Sequence, residues 1–326
     1  MVRTSVSMSQ MVYSMEKQST IFIAGGTGLI GQACIRQFRK KGYDSILAPS
    51  RQEIDLTDYK SVTAYFDNNR IDVVVVAAGK VGGILENKNN PFDFLKTNLL
   101  IQLNVSAAAQ NSGCQKVVLF GSSCMYPKEC RQPMHESDLF TGKMEPTSMA
   151  YAVSKIAGLQ LGFSFNRQFG LDKFLCVIPN SAYGPGDNFN PESGHVLPAL
   201  LHRFHQAKRN ADDHVMLWGS GTPRREFVYS DDIADAIIFL LENRVQTVDE
   251  PINIGTGVDF SIKELAQTIK TKIGYKGEIL WDKSKPDGAL QKLLDSSKLQ
   301  KMGWRANTEL KYGIEKTYDW YLENIV

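Results

Sequence analysis

Tyr151 and Lys155 lie four residues apart, a spacing that puts two side chains on one helix face, one turn from each other. A phenol so placed can protonate a carbonyl oxygen as hydride reaches the carbonyl carbon, and the nearby ammonium favours the phenolate left behind. The spacing alone selects nothing, because it recurs at Tyr13/Lys17 and Tyr312/Lys316. Position distinguishes the middle pair. It follows a Gly121-Ser122-Ser123 turn at the end of the apolar run 116–120 (KVVLF), and open α/β sheets take ligands at the carboxyl ends of their strands. Ser122 can hydrogen-bond the same carbonyl, whereas Tyr13 lies in an N-terminal tail and Tyr312 near the C-terminus.

A reductase needs a hydride source, and Gly25-Gly26-Thr27-Gly28-Leu29-Ile30-Gly31 supplies a place for one. The loop stands between an apolar strand, 20–24, and a helical stretch reaching Lys41. Glycines there permit a tight turn and close approach of a pyrophosphate, and the helix N-terminus adds amide donors. A glycine-rich turn without a ligand is the bland alternative, and the strand–turn–helix context favours the dinucleotide. The second strand, 45–48, is followed by Pro49-Ser50-Arg51, with no carboxylate before Glu53 to accept from a ribose 2′-hydroxyl. Ser50 and the forked donors of Arg51 suit a 2′-phosphate, which favours NADP(H) over NAD; an ordinary exposed loop arginine is the alternative.

The elements that must position these groups alternate between strand and helix. Beyond those already named, a helix is expected at 59–68 and strands at 72–78 (DVVVVAA) and 174–178 (FLCVI). Valine-rich runs without alternation are the mark of parallel strands buried on both faces. The expected fold is therefore α/β, a Rossmann-like doubly wound parallel sheet with a smaller, interleaved C-terminal substrate-binding domain. Its pieces are a flexible tail at 1–18, a dinucleotide-binding domain at 19–179 plus about 228–254, and a substrate domain at 180–227 and 255–326. The return at 228–254 rests on a helix expected at 231–241 (DDIADAIIFLL).

Composition narrows the class further. The 326 residues are 43% hydrophobic, enough for a sizeable core. Lys plus Arg is 37 and Asp plus Glu is 35, a balance that offers nucleic acid no bulk charge. Apolar runs such as 73–76 with flanking alanines are far below a membrane span of about 20 residues. Five scattered cysteines (Cys34, Cys114, Cys124, Cys130 and Cys176) form no Cys-x-x-Cys pair, so neither a disulfide framework nor a metal site is expected, and a reducing cytoplasmic setting fits.

Longer words extend the motifs: AAGKVGGI (77–84), GSSCMYPK (121–128), AYAVSKIAG (150–158), YGPGDNFNPESGHVLPALLHRFHQA (183–207), WGSGTPRREF (218–227), NIGTGVDFSIKELA (253–266) and SKPDG (284–288). With these the chain, from about Thr20 onward, resembles the extended short-chain dehydrogenase/reductases acting on nucleotide sugars. Its likeness within them is to the epimerase-reductases of GDP-4-keto-6-deoxy-D-mannose. The resemblance implies NADPH-dependent 3,5-epimerisation and 4-reduction to GDP-L-fucose. A related GDP-4-keto sugar, a 6-deoxyheptose or dideoxyhexose, epimerised and reduced or only reduced, is the alternative. It also implies a homodimer, through helices near 98–110 and 151–169.

By the same matching Ser122, Tyr151 and Lys155 form the reduction triad, and Cys124 and His195 exchange protons during epimerisation. Lys155 and His195 also touch the cofactor, and Arg203, Trp218, Arg225 and Asp287 fall on substrate-binding positions. The chemistry agrees: a C4 ketone acidifies the hydrogens at C3 and C5, and a thiol and an imidazole titrate close enough to neutrality to move them. Taken singly, Cys124 reads as a small buried hydrophobe, His195 as a loop residue and Trp218 as a core residue. The chain departs from the family at Ser148-Met149-Ala150, where Asn-Glu-Pro is usual, and at Ala289-Leu290-Gln291, where Thr-Pro-Arg is usual. Both departures flank the pocket and bear on which sugar it takes.

Overall fold

A computed structural model describes residues 15–326 apart from 246, 248 and 286. Tyr13 lies outside the described residues.

Six parallel strands form one sheet in the order β2-β1-β3-β4-β5-β9: β1 (Ile21–Ala24), β2 (Ile46–Leu47), β3 (Val73–Val76), β4 (Lys116–Phe120), β5 (Phe174–Pro179) and β9 (Ile252–Ile254). Successive side chains point to opposite faces of a strand, and here both faces are covered. Ile21, Val73, Val75, Val118 and Val177 enter one core with Phe38 of α1 (Leu29–Lys40) and Ile237 of α7 (Ser230–Glu242). Their neighbours Phe22, Val74, Val117 and Cys176 enter the other. There they meet α2 (Tyr59–Asn68), α4 (Pro91–Asn111) and α5 (Met149–Phe169), and the short α3 (Ile84–Asn89) precedes α4. The doubly wound sheet expected from the valine-rich runs is thus present, and chain order reverses between β1 and β3, where such sheets open a ligand crevice.

A third core lies beyond Asn180. It joins α6 (Val196–Asn210), α8 (Ile262–Ile273) and α10 (Leu310–Asn324) through Leu201, Phe204, Leu265, Ile269 and Ile314. Strand β8 (Arg224–Tyr229) organises this half, pairing in parallel with β6 (Ser181–Tyr183) and β12 (Gln291–Lys292) and antiparallel with β10 (Asp259–Ser261). Strands β7 (His214–Trp218) and β11 (Glu278–Asp282) pair separately, and α9 (Ser297–Lys301) returns Leu299 to the core under α1 and α7.

The chain crosses between the halves after β5, after β8 and after β9. One side chain meets these crossings. Glu226 of β8 is fully buried and its carboxylate accepts from Asn180 Nδ2, from the amides of Thr256 and Gly257, and from the amide of Leu294.

Met15, inside the stretch read as a loose tail, is instead buried against the α1–α7 core, and Lys17 pairs with Glu242 at 3.1 Å. Burial of one apolar side chain and one ion pair fixes the chain before Ser19. Among the described residues no helix is long and apolar enough to cross a membrane.

Candidate active site

The glycine loop turns where β1 meets α1. Gly25 has φ +85°, a left-handed conformation, and a Cβ there would lie 2.7 Å from Ala78 Cα. A Cβ on Gly31 would lie 2.1 Å from the Gly25 carbonyl oxygen, so only glycine lets the helix come this close to the loop. Gly28 caps α1 with no side-chain bond to the first-turn amides, leaving those of Leu29, Ile30 and Gly31 to a ligand. Thr27 is exposed beside them, and its carbonyl accepts from Gln32 Nε2 at 2.7 Å. The donors and the tight approach fit a pyrophosphate.

At the end of β2 the Ser50 amide donates to the Glu53 carboxylate at 2.7 Å. Hydrogen bonds from the Ser50 backbone and side chain hold that carboxyl below its usual pKa. Glu53, the nearest acid to the expected ribose, is therefore committed to its own turn. Arg51 is exposed on this turn and enters no ion pair among the described residues.

The residues expected to carry reduction converge at the end of β4. Ser122 caps a short helical turn (Ser123–Met125), its Oγ accepting from the Cys124 amide at 3.3 Å. Tyr151, in the first turn of α5, lies beside Ser122 and stacks edge-on against Phe94 of α4. Burial, with Cys124 nearby, pushes the phenol's pKa up against the opposing effect of Ser122, so the hydroxyl carries its proton at neutral pH. Lys155 is buried at 5% exposure with Nζ 5.8 Å from the Tyr151 ring centroid. Burial pushes its pKa down to about 8. The loop after β3 lies over it: a Cβ on Gly79 would sit 3.5 Å from Lys155 Nζ and 2.8 Å from Asn98 Oδ1. Asn98 holds this loop by accepting from the Lys80 amide at 2.8 Å and donating to its carbonyl at 3.0 Å.

Cys124 is half-buried in the same place, and Lys292 of β12 donates to its sulfur at 3.6 Å. Burial alone would raise the thiol's pKa. The Lys292 charge and hydrogen bonds from Ser122, Ser148 and Lys292 outweigh it and bring the pKa below the ordinary value. At the enclosed Cys34 and Cys114 burial outweighs the opposing charges of Arg36 and Lys173, and both thiols rise to about 12.

The other expected groups extend outward from Lys292. Arg225 is its neighbour in register across β8 and β12, and Nη1 donates to the carbonyls of Arg224 and Ala289, each at 2.7 Å. Nη2 approaches Gly288. The adjoining Asp287 accepts from the Ser220 amide at 2.9 Å and hydroxyl at 2.7 Å, which secures the turn after Trp218. Asp287 is thus already bonded to protein. Trp218 is 53% exposed on β7, on the face of Met216, whose carbonyl accepts from Arg203 Nη1 of α6 at 3.4 Å. The result is a run of contacts from Cys124 to an exposed indole and two guanidinium groups.

His195, exposed at the start of α6, ends a loop tied to the glycine-rich 77–84 segment by the Gly83 amide, which donates to the Ser193 carbonyl at 3.2 Å. The protein around it desolvates the imidazole and lowers its pKa. Sequence reasoning missed Lys292, Ser148 and Asn98. Lys292 carries no motif of its own, and its only signal is its nearness to the 284–288 word.

The sequence matches the NAD dependent epimerase/dehydratase family over residues 21–255. GDP-L-fucose synthase from Escherichia coli is 46% identical over 317 residues, 95% of this chain and 98% of that one. Putative GDP-L-fucose synthase 2 from Arabidopsis thaliana is 44% identical over 323 residues, 99% and 98% of the two chains. Among solved structures, the GDP-mannoheptose C4 reductase from Campylobacter jejuni with NADP bound superposes with a TM-score of 0.86 at 34% identity, covering 95% of this chain and all of that one (100%).

Proposed function

Because the chain belongs to the NAD dependent epimerase/dehydratase family, we propose that it converts GDP-4-keto-6-deoxy-D-mannose to GDP-L-fucose by 3,5-epimerisation and NADPH-dependent 4-reduction. One observation carries this reading: a thiol with a lowered pKa stands beside the Ser122–Tyr151–Lys155 group, so epimerisation and reduction share one pocket.

NADPH, when bound, supplies the hydride to C4. The chain's residues do the rest. Gly25 to Gly31 and the first-turn amides of α1 hold the pyrophosphate, and Ser50 and Arg51 take the 2′-phosphate. Tyr151, kept protonated by burial, gives its proton to the C4 oxygen, which Ser122 also hydrogen-bonds. The Lys155 ammonium offsets the charge left on Tyr151 and reaches toward the nicotinamide ribose. Cys124 and His195 move the protons at C3 and C5. Arg203 and Arg225 face the diphosphate and Trp218 the base, with Asp287 holding the turn that carries Trp218.

The same reading includes a cytoplasmic homodimer. Phe92, Leu99 and Leu103 of α4 and Met149 and Val153 of α5 are exposed apolar side chains on neighbouring helices, the face a second copy would cover. A C4 reduction without epimerisation, on a heptose-type sugar, is the second reading. It is favoured by the Campylobacter jejuni neighbour and by Ser148 beside Cys124, where Asn was expected.

Incubation with GDP-4-keto-6-deoxymannose and NADPH in D₂O separates the two. Oxidation followed at 340 nm together with deuterium at C3 and C5 is the expected result. Cys124→Ala should lose most of that deuterium. NADPH oxidation without deuterium would leave only the C4 reductase.

A further inference from the structure

We propose that Lys292 holds Cys124 as a thiolate in the resting protein, making Lys292 the positioning residue for the base that starts epimerisation. The idea rests on the epimerase reading above for its role in turnover, though not for its existence. Five side chains act on the sulfur, Tyr151 and Arg225 through charge and Ser122, Ser148 and Lys292 through hydrogen bonds. Ser122 comes from its own turn, Ser148 and Tyr151 from the start of α5, Arg225 from β8 and Lys292 from β12. Two of them are cationic. Arg225 has Nη1 engaged with two backbone carbonyls, while the Lys292 ammonium donates to the sulfur itself at 3.6 Å.

The ammonium is aimed by a well-fixed backbone. Lys292 pairs in register with Arg225, the next amide, of Leu293, donates to Gln132 Oε1 at 2.8 Å, and the one after donates to buried Glu226. Its own carbonyl accepts from Asn180 at 3.4 Å. With the backbone anchored on both sides, only the side-chain rotamers of Lys292 remain to be ordered for this contact.

A second half-buried cysteine serves as an internal contrast. Cys130 lies six residues along the chain, yet burial and the neighbouring Asp138 push its thiol up. Burial raises both thiols; what separates them is the balance of charge, Lys292 beside Cys124 and Asp138, partly offset by Arg131, beside Cys130.

The step this enables is a simple proton transfer. The carbon–hydrogen bond next to the C4 ketone breaks, its electron pair enters the enolate, and the proton goes to Sγ of Cys124. The thiol formed is neutral, so the Lys292 charge then stands unbalanced beside the developing enolate oxygen and phosphates, where negative charge is collecting. No oxidant is required.

The test needs no sugar. The full-length protein is alkylated with iodoacetamide from pH 5 to pH 10, and labelling of Cys124 and Cys130 is followed separately by peptide mass. In the intact protein Cys124 should label with a midpoint below the roughly 8.5 of an ordinary thiol and below that of Cys130. Lys292→Met should raise the Cys124 midpoint by at least one pH unit, about tenfold slower labelling at pH values below both midpoints, and leave Cys130 unchanged. Lys292→Arg should restore most of the shift. NADPH binding by each variant checks that it is folded, and Lys292→Gln replaces Met should that variant fail the check.

An unmoved midpoint in Lys292→Met overturns the proposal, as does a loss of labelling by one factor at every pH, which would mean altered access alone. Deuterium uptake from D₂O gives the turnover counterpart: Lys292→Met should lose C3 and C5 exchange by more than it loses NADPH oxidation. If the midpoint moves but no GDP-4-keto sugar exchanges deuterium, the substrate reading fails and the thiolate assignment stands.

Discussion

Lys155 should be a residue the fold would be more stable without. Its ammonium is buried with no hydrogen-bond partner among the described residues, and burial brings its pKa from 10.5 to about 8. At about 1.4 kcal/mol per pH unit, the folded state pays roughly 3 kcal/mol at neutral pH to keep the charge. Lys155→Met has nearly the same length, carries no charge and suits an apolar site. It should raise unfolding stability by about 1–3 kcal/mol at pH 7 while abolishing reduction. The pH dependence follows from the direction of the shift. A lysine with a depressed folded pKa suffers its full penalty below about 8, and the penalty fades as pH rises toward 10.5, because the folded form has already given up its proton. The advantage of the variant should therefore shrink by more than half between pH 7 and pH 9.5. Urea unfolding of both proteins without NADPH, at these two pH values, measures it. A variant less stable than the parent at pH 7 by 1 kcal/mol or more, or a gap that does not shrink at pH 9.5, would refute the reasoning.

Tyr151→Phe should remove NADPH oxidation with substrate present yet leave NADPH binding near the parent value, because the ring keeps its edge-on packing against Phe94. Tyr312→Phe, at a residue 55% exposed on α10, should leave turnover unchanged; comparing initial rates at 340 nm decides both. Arg51→Asp should weaken NADPH selectively, by about 1–3 kcal/mol, through loss of a charge-assisted bond to the 2′-phosphate. Titration with NADPH and NADH checks it, and equal losses for the two cofactors would count against Arg51.

Where side chains are buried on both faces, the sequence told almost everything. The run 116–120 became β4 and the helix expected at 59–68 became α2, because valine-rich runs and an N-capping Asp58 leave few alternatives. Beyond Asn180 the same reasoning weakened. Strands β6, β10 and β12 are two or three residues long, too short to show a period, and exist because β8 offers them partners. The site follows the same division. Ser122, Tyr151 and Lys155 are local to one strand end and one helix, so spacing and context single them out as candidates. Lys292 reaches Cys124 across 168 residues of sequence, and its role is visible only once β12 is laid against β8.

The buried carboxylate of Glu226 has a consequence for how such a protein can change over time. Because it fastens the residues at which the chain passes from one half to the other, the half beyond Asn180 is not a detachable cassette. A fragment ending at Pro179 would lack β9 at the sheet edge and α7 over the α1 face, leaving Phe38, Val177 and their neighbours open to water. A fragment beginning at Ser181 would lose Asn180, one of the donors that satisfy the buried acid. Exchange of whole halves between relatives would break the same knot unless both sides brought matching crossings. New sugar preferences are thus more readily reached by single replacements around the pocket, such as those at Ser148 to Ala150 and Ala289 to Gln291, than by recombination.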